Sequence, residues 1–212
     1  MTNANKDATS VILNLIQNLS GGLMNRIRLM LVGFTMLIAL LLACGGPPAK
    51  EPPPTGGIPM TITITSSAFE PGGMIPKKYT GDAEDVSPPL ALANVPEPAK
   101  SLALICDDPD APAGDWVHWV LYNIPSTVRE IPEDIGPDKR VAGMGIQGRN
   151  DFGKIGYGGP LPPSGTHRYF YKVYALDIVL SPEPTLSKAM LLKVMEGHIL
   201  ARGELMGRYA RQ

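Results

Sequence analysis

Between Asp107 and Trp119 the chain reads DDPDAPAGDWVHW, which places four carboxylates, two prolines and His118 within thirteen residues. Acids at that density repel one another and lose solvation when buried, so they need either open water or a partner that uses their charge. His118 stands among tryptophans, where a partly desolvated imidazole needs a nearby acid or an anionic ligand to hold its charged form. Asp108 and Asp110 are the candidate acids for that role. A second histidine, His167, follows GYGGPLPPSGT (156–166), whose four glycines and three prolines let backbone amides approach a ligand while stiffening the segment. The third, His198, lies toward the C-terminal end.

Four chemistries compete for this constellation. A small pocket for an anionic group accounts for the acids, the two histidines and the glycine-proline loop together. A divalent metal would need His, Cys or carboxylate ligands at short fixed spacings, and neither a His-x-x-x-His pair nor a cysteine pair is present. A hydrolase would need a nucleophile with an oriented base; Ser164 lies near His167 but outside any strand-turn-helix elbow. Core histidines satisfied by backbone hydrogen bonds are the remaining explanation. We therefore expect an anion site, with no metal and no cofactor.

These side chains must be positioned by strands. MTITITSSAF from Met60 alternates Ile62 and Ile64 with threonines, SLALICDD is a continuous apolar run suited to a central strand, and WVHWVLYNIP (116–125) and HRYFYKVYALD (167–177) are aromatic and β-branched. Regular alternation puts Trp116 with His118 on one face, and Val117 with Trp119 on the other. TLSKAMLLKVMEG predicts one helix with Thr185 or Ser187 as its cap, Ala189, Leu191, Leu192 and Met195 on its apolar face and Gly197 as its stop. HILARGELMGRY sets Arg202, Glu204 and Arg208 opposite Ile199, Ala201 and Leu205, the pattern of a final edge strand. Strands first and a helix late describe a β-sandwich with a small helical supplement.

With 212 residues, 44% apolar and 18% charged, the chain can bury one good core, and a net charge of −1 gives no field to attract nucleic acid. The N-terminal part reads separately. Arg26 and Arg28 precede an uncharged apolar stretch, Leu29 to Ala43, which is short for a membrane span of roughly twenty residues but suits an export signal. LLAC (41–44) resembles a bacterial lipobox, in which Cys44 is diacylated and becomes the first residue; an uncleaved anchor is the competing interpretation. The residues before Met24 have no basic bias, which suggests Met24 as the true start. GGPPAKEPPPTGGIP after Cys44 is too poor in apolar side chains to fold and serves as a stiff spacer. The expected organisation is a signal peptide at 1–43, a lipidated linker at 44–59 and a folded domain at 60–212. Gly45 carries no aspartate-type retention signal, so the expected location is the outer membrane facing the periplasm rather than the inner. Cys106 in SLALIC is expected as a small buried hydrophobe.

DPDAP with WVHWVLYNIP, GRNDFGKIGYGGPLPPSGTHRYFYKVYALD and MEGHILARGELMGRY resemble the phosphatidylethanolamine-binding protein family, in its bacterial Raf-kinase-inhibitor-like branch, from about Ile62 to Arg211. The resemblance implies a mainly β fold, an antiparallel β-sandwich with a Greek-key element and a C-terminal helix, and a pocket at one end of it for a phosphate-like or carboxylate anion. Its implied ligand-binding residues are Asp108, Pro112, His118, His167 and Tyr169, with the backbone from Gly159 to Leu161 closing one side. Asp110 would support the DPDAP loop, in which the family often has a cis peptide before a proline, and Arg149 and Asp151 would form an ion pair. The sequence departs from the pattern at Leu92, where tryptophan is usual, at Cys106, where an aliphatic residue is usual, and at Leu161, where a small residue or cysteine is common. An exported member cannot meet a cytosolic kinase. The expected function is therefore a membrane-tethered, non-enzymatic binder of small phosphorylated or anionic ligands; a hydrolase or an inhibitor of an extracytoplasmic enzyme is the alternative.

Overall fold

The uninterrupted apolar run at residues 101–108 forms the strand on which the rest of the domain is organised. A computed structural model describes Pro59 and Thr61–Arg211, which fall within the unit Gly56–Gln212. The expected signal segment, Cys44 and the expected linker up to Ile58, together with Met60, lie outside the described residues. In chain order the strands are β1 (Thr63–Thr65), β2 (Leu90–Ala93), β3 (Ser101–Asp108), β4 (Trp116–Pro125), β5 (Glu130–Ile131), β6 (Arg140–Val141), β7 (Gly145–Gln147), β8 (Thr166–Leu176) and β9 (Ile199–Ala210). One helix, α1 (Lys188–Met195), precedes β9.

All strand pairings are antiparallel. A three-stranded sheet runs β1-β2-β5 and a six-stranded sheet runs β6-β7-β4-β3-β8-β9. β3 sits between β4 and β8 and is buried along its whole length, as expected for a strand covered on both faces. Its alternation divides the core. Leu102, Leu104 and Cys106 pack with Leu92 and Ile131 of the small sheet, whereas Ala103 and Ile105 pack with Leu191 and Met195 of α1. The domain is a sandwich of two sheets with a helix against the outer face of the larger one. Leu92 and Cys106, two of the three departures from the family pattern, are ordinary members of the inter-sheet core, and burial pushes the Cys106 thiol well up from its usual pKa.

Ser187 caps α1 by accepting a hydrogen bond from the Met190 amide, and Gly197 follows the helix in the left-handed region at φ 79°. The apolar face is narrower than the sequence predicts. Leu191 and Met195, one turn apart, are buried, while Leu192 is 39% exposed because it lies a quarter turn round from that stripe.

From Ala201 on, the terminal strand β9 alternates as predicted, with Ala201, Leu205 and Tyr209 buried and Arg202, Glu204 and Arg208 exposed; Ile199, expected on the face of Ala201, instead packs half-buried on the α1 side, because the pairing with β8 shifts between Ala175 and Leu176. Its outer edge is covered by the beginning of the domain. Ile62 donates to Arg202, Arg202 donates to Pro59, Gly72 donates to Met206, and Arg208 exchanges backbone bonds with Gly73 and Ile75. An otherwise open edge of twelve residues is thereby paired.

β4 is not regular. Cys106 pairs with Trp119 and Asp107 pairs with Val117, so His118 is an extra residue without a counterpart on β3. This β-bulge corrects the simple alternation: Val117 joins the core beneath α1, while Trp119 joins the inter-sheet core.

Candidate functional site

The bulge lies at the end of the six-stranded sheet, where β3 and β4 meet the loop that leads into β8. There a cavity of about 240 Å³ is bounded by Asp108 at the end of β3, Ala111, Pro112 and Ala113 from the following turn, and Trp116 and His118 from β4. Phe152, Leu161, Pro162, Pro163 and His167 complete its wall.

Both histidines are fixed through Nδ1. The His167 Nδ1 lies 2.7 Å from Asp108 Oδ2, a pair with side chains 9% and 4% exposed. The His118 Nδ1 lies 2.6 Å from the Gly158 carbonyl oxygen and donates to it. Nε2 is the remaining polar atom of each ring, and both side chains line the cavity. Burial pulls the His118 pKa below its usual value, only partly offset by its bonds to the 158–159 backbone and the fields of Asp108 and Asp107. The ring is also enclosed by aromatics, edge to face with Phe152 at 5.4 Å and with Tyr169 at 5.1 Å.

The sequence expectations meet this geometry unevenly. Asp108, Pro112, His118 and His167 come together at the cavity. Asp108 serves His167 rather than His118, because the bulge turns the His118 Nδ1 to a carbonyl instead. Tyr169 is fully buried behind the wall; its hydroxyl has no hydrogen-bond partner among the described residues, and burial pushes its pKa far up. Gly159 is also outside the wall, since its amide donates to Asp85 Oδ1 at 2.6 Å. Leu161, 41% exposed, stands on the rim.

Other expectations are corrected. Asp110 does support its loop, accepting from the Arg168 amide and guanidinium at 3.0, 2.8 and 2.7 Å, and that guanidinium holds the Asp110 carboxyl at a pKa of about 2. The cis peptide among the described residues is Glu183–Pro184, not one in the DPDAP loop. No ion pair joins Arg149 to Asp151 among the described residues. Arg149 is exposed, and Asp151 instead accepts from the Val117 amide at 2.8 Å and donates its own amide to the Val117 carbonyl, bracing the strand next to the bulge. Ser164 is exposed and outside the cavity wall.

Two contributors had no local signal. Asp85, at φ 58°, reaches across from the segment before β2 to hold Gly159, while Gly81 donates to the Pro160 carbonyl and Tyr157 to the Tyr79 carbonyl. The fit leaves no room for side chains: a Cβ at Gly159 would lie 2.6 Å from the Tyr79 carbonyl oxygen, and one at Gly158 would lie 2.7 Å from the Phe152 ring. Phe152 itself follows a turn and is marked only by its position in GRNDFGK.

The arrangement can therefore hold a small acid by two imidazoles, one of them backed by a carboxylate. Among the described residues no group of three His, Cys, Asp or Glu side chains stands close enough to hold a metal ion. Comparison with known proteins agrees with the fold. The phosphatidylethanolamine-binding protein family model matches residues 65–210, and the chain belongs to that family. A UPF0098 protein of Methanothermobacter thermautotrophicus is 50% identical over 71% of this chain and 99% of its own length. A UPF0098 protein of Chlamydia trachomatis is 44% identical over 71% of this chain and 99% of its own. Among solved structures, a putative phosphatidylethanolamine-binding protein homologue from Chlamydia trachomatis superimposes with a TM-score of 0.65 at 44% identity, covering 72% of this chain and 99% of that one. YbcL of Escherichia coli, described as a new member of the mammalian family, gives 0.64 at 34% identity, with the same coverage.

Proposed function

We propose that this protein is an exported, lipid-anchored binding protein whose pocket takes a small anionic or phosphorylated ligand without transforming it. The observation that carries the binding reading is the pair of imidazoles in one cavity wall, each fixed through Nδ1, so that Nε2 is left for a ligand. A charge-assisted hydrogen bond from either ring to an anion is strong in a site this enclosed. Tethering rests on the apolar stretch before Cys44 and the spacer after it.

A non-enzymatic role is supported by the wall itself, which contains no hydroxyl or thiol nucleophile. The hydrolase alternative draws on one feature, the Asp108–His167 pair, since a carboxylate orienting an imidazole is the arrangement that activates a nucleophile or a water.

Calorimetric titration with acetate and inorganic phosphate at pH 6 and pH 8 tests the binding. An anion favours imidazolium, so binding takes up protons and is tighter at pH 6. His118→Ala or His167→Ala weakens it by about 1.5–3 kcal/mol. Equal affinity at both pH values, unaffected by either substitution, refutes the pocket. A histidine-dependent rate on ester or phosphoester substrates favours the hydrolase. Membrane association of a Cys44→Ala variant with its signal uncleaved points to the uncleaved anchor.

A further inference from the structure

The cavity wall has a charge limit and a polarity gradient. Its ionisable groups are one carboxylate, Asp108, and two imidazoles; no lysine or arginine lines it. With both rings protonated the wall carries at most one net positive charge. Cations on the elements beside the cavity are already balanced by acids. Arg168 is paired with Asp110, and Lys172 and Lys188 are paired with Asp107, whose neighbours on β3 face α1. One excess positive charge matches one negative charge, while a second on the ligand would stand uncompensated in a partly desolvated site.

The other eight wall residues carry apolar side chains. Phe152, 38% exposed, packs edge to face on Trp116 at 5.4 Å and also on His118, so the aromatic wall continues directly from the imidazole outward. Leu161, Pro162 and Pro163 add further apolar lining to the same cavity. The cavity of about 240 Å³ is smaller than pockets for drug-sized ligands, roughly 300–1,000 Å³, and excludes a whole diacyl lipid.

Resting on the anion-binding reading above, we infer that the ligand is a singly charged acid bearing an apolar body: an aryl or short alkyl carboxylate, or a phosphodiester, rather than a free phosphate dianion. The acidic group meets the two Nε2 atoms, and the body lies against Phe152 and Trp116.

Calorimetric titration of the intact domain with acetate, benzoate, phenyl phosphate and methyl phenyl phosphate separates these terms. Benzoate binds roughly tenfold or more tightly than acetate, the scale of one added hydrophobic contact. Phe152→Ala removes most of that advantage, lowering benzoate affinity by a larger factor than acetate affinity; Phe152 is 38% exposed, and circular dichroism checks that the variant is folded. Phenyl phosphate becomes a dianion near pH 6 while the diester stays a monoanion, so the preference for the diester is several-fold larger at pH 8 than at pH 5.5. A carboxylate that outbinds the diester, or the reverse, identifies the source of the acid within the same class. Benzoate no tighter than acetate, or phenyl phosphate as tight as the diester at pH 8, overturns the inference while leaving anion binding intact. Failure of all four ligands to bind overturns the anion site itself.

Discussion

Asp107 and Asp108 are consecutive residues of β3, both buried, and the pleat sends them to opposite faces of the same sheet. Asp107 faces the helix side, where Lys172 and Lys188 reach it at 2.7 and 2.6 Å and Lys188 also meets Asp115. Asp108 faces the cavity, where it has one imidazole and accepts the Asp110 amide at 2.8 Å. Asp107 is surrounded by more positive charge than its own negative charge, with the lysine stems covering it. Asp108 has a titratable partner and an opening. The same residue type, one position apart, closes the fold on one side and is available for chemistry on the other; what separates them is whether the partner can change its charge.

Breaking the closed side has the largest effect. Asp107→Ala leaves Lys172 without its carboxylate and Lys188 with Asp115 alone, and lowers stability by about 3 kcal/mol, read from the denaturant midpoint, because removing one partner strands partly buried charge. Asp108→Asn keeps the shape but not the charge. It lowers stability by about 1–3 kcal/mol and flattens the pH dependence of anion affinity more than it reduces affinity at pH 6.

The third test concerns pH. The unfolded chain protonates His118 near its ordinary value of about 6.5, whereas the folded chain, with the ring desolvated, resists. In the window just below 6.5 the unfolded state binds more protons, so stability falls as pH falls. Replacing His118 with Gln removes that slope; an unchanged slope means that the ring is not desolvated. The smallest effect belongs to Asp110→Asn, which breaks a pair whose arginine is 50% exposed and costs at most about 1 kcal/mol. Because the Asp110 pKa is lowered to about 2, its contribution is present above its ordinary value and disappears as acid titration passes through that lower one.

The legible parts of this molecule were those governed by local periodicity. The aromatic strands, the alternation of β9 and the Ser187 cap follow from residue order, and the family resemblance carried the sandwich and the cavity's position. The illegible parts all depend on residues meeting across the chain. A period-two pattern assumes an unbroken ladder, so the extra residue at His118 could not be seen without β3 beside it, and it put Val117 and Trp119, expected on one face, on opposite faces. Asp108, a candidate partner for His118, holds His167, 59 residues away, and the Gly159 amide is taken by Asp85, 74 residues away. Partner choice of this kind is decided by register and loop closure, which composition does not encode.

The covered edge of β9 also has a consequence in time. The first residues of the domain bond to the last strand, at Arg202, Met206 and Arg208, while β1 between them pairs with β2. Ribosomes deliver the N-terminal residues first, yet the backbone groups of Pro59, Ile62, Gly72, Gly73 and Ile75 that bond to β9 have no partner there until the C-terminal strand exists. The small sheet can pair earlier, but closure of the domain waits for β9 and its longest loop, the kind of non-local step that makes β-rich domains fold slowly. A nascent chain stalled before Ile199 should remain protease-sensitive from its first strand onward, and release of the last dozen residues should protect both ends of the domain together.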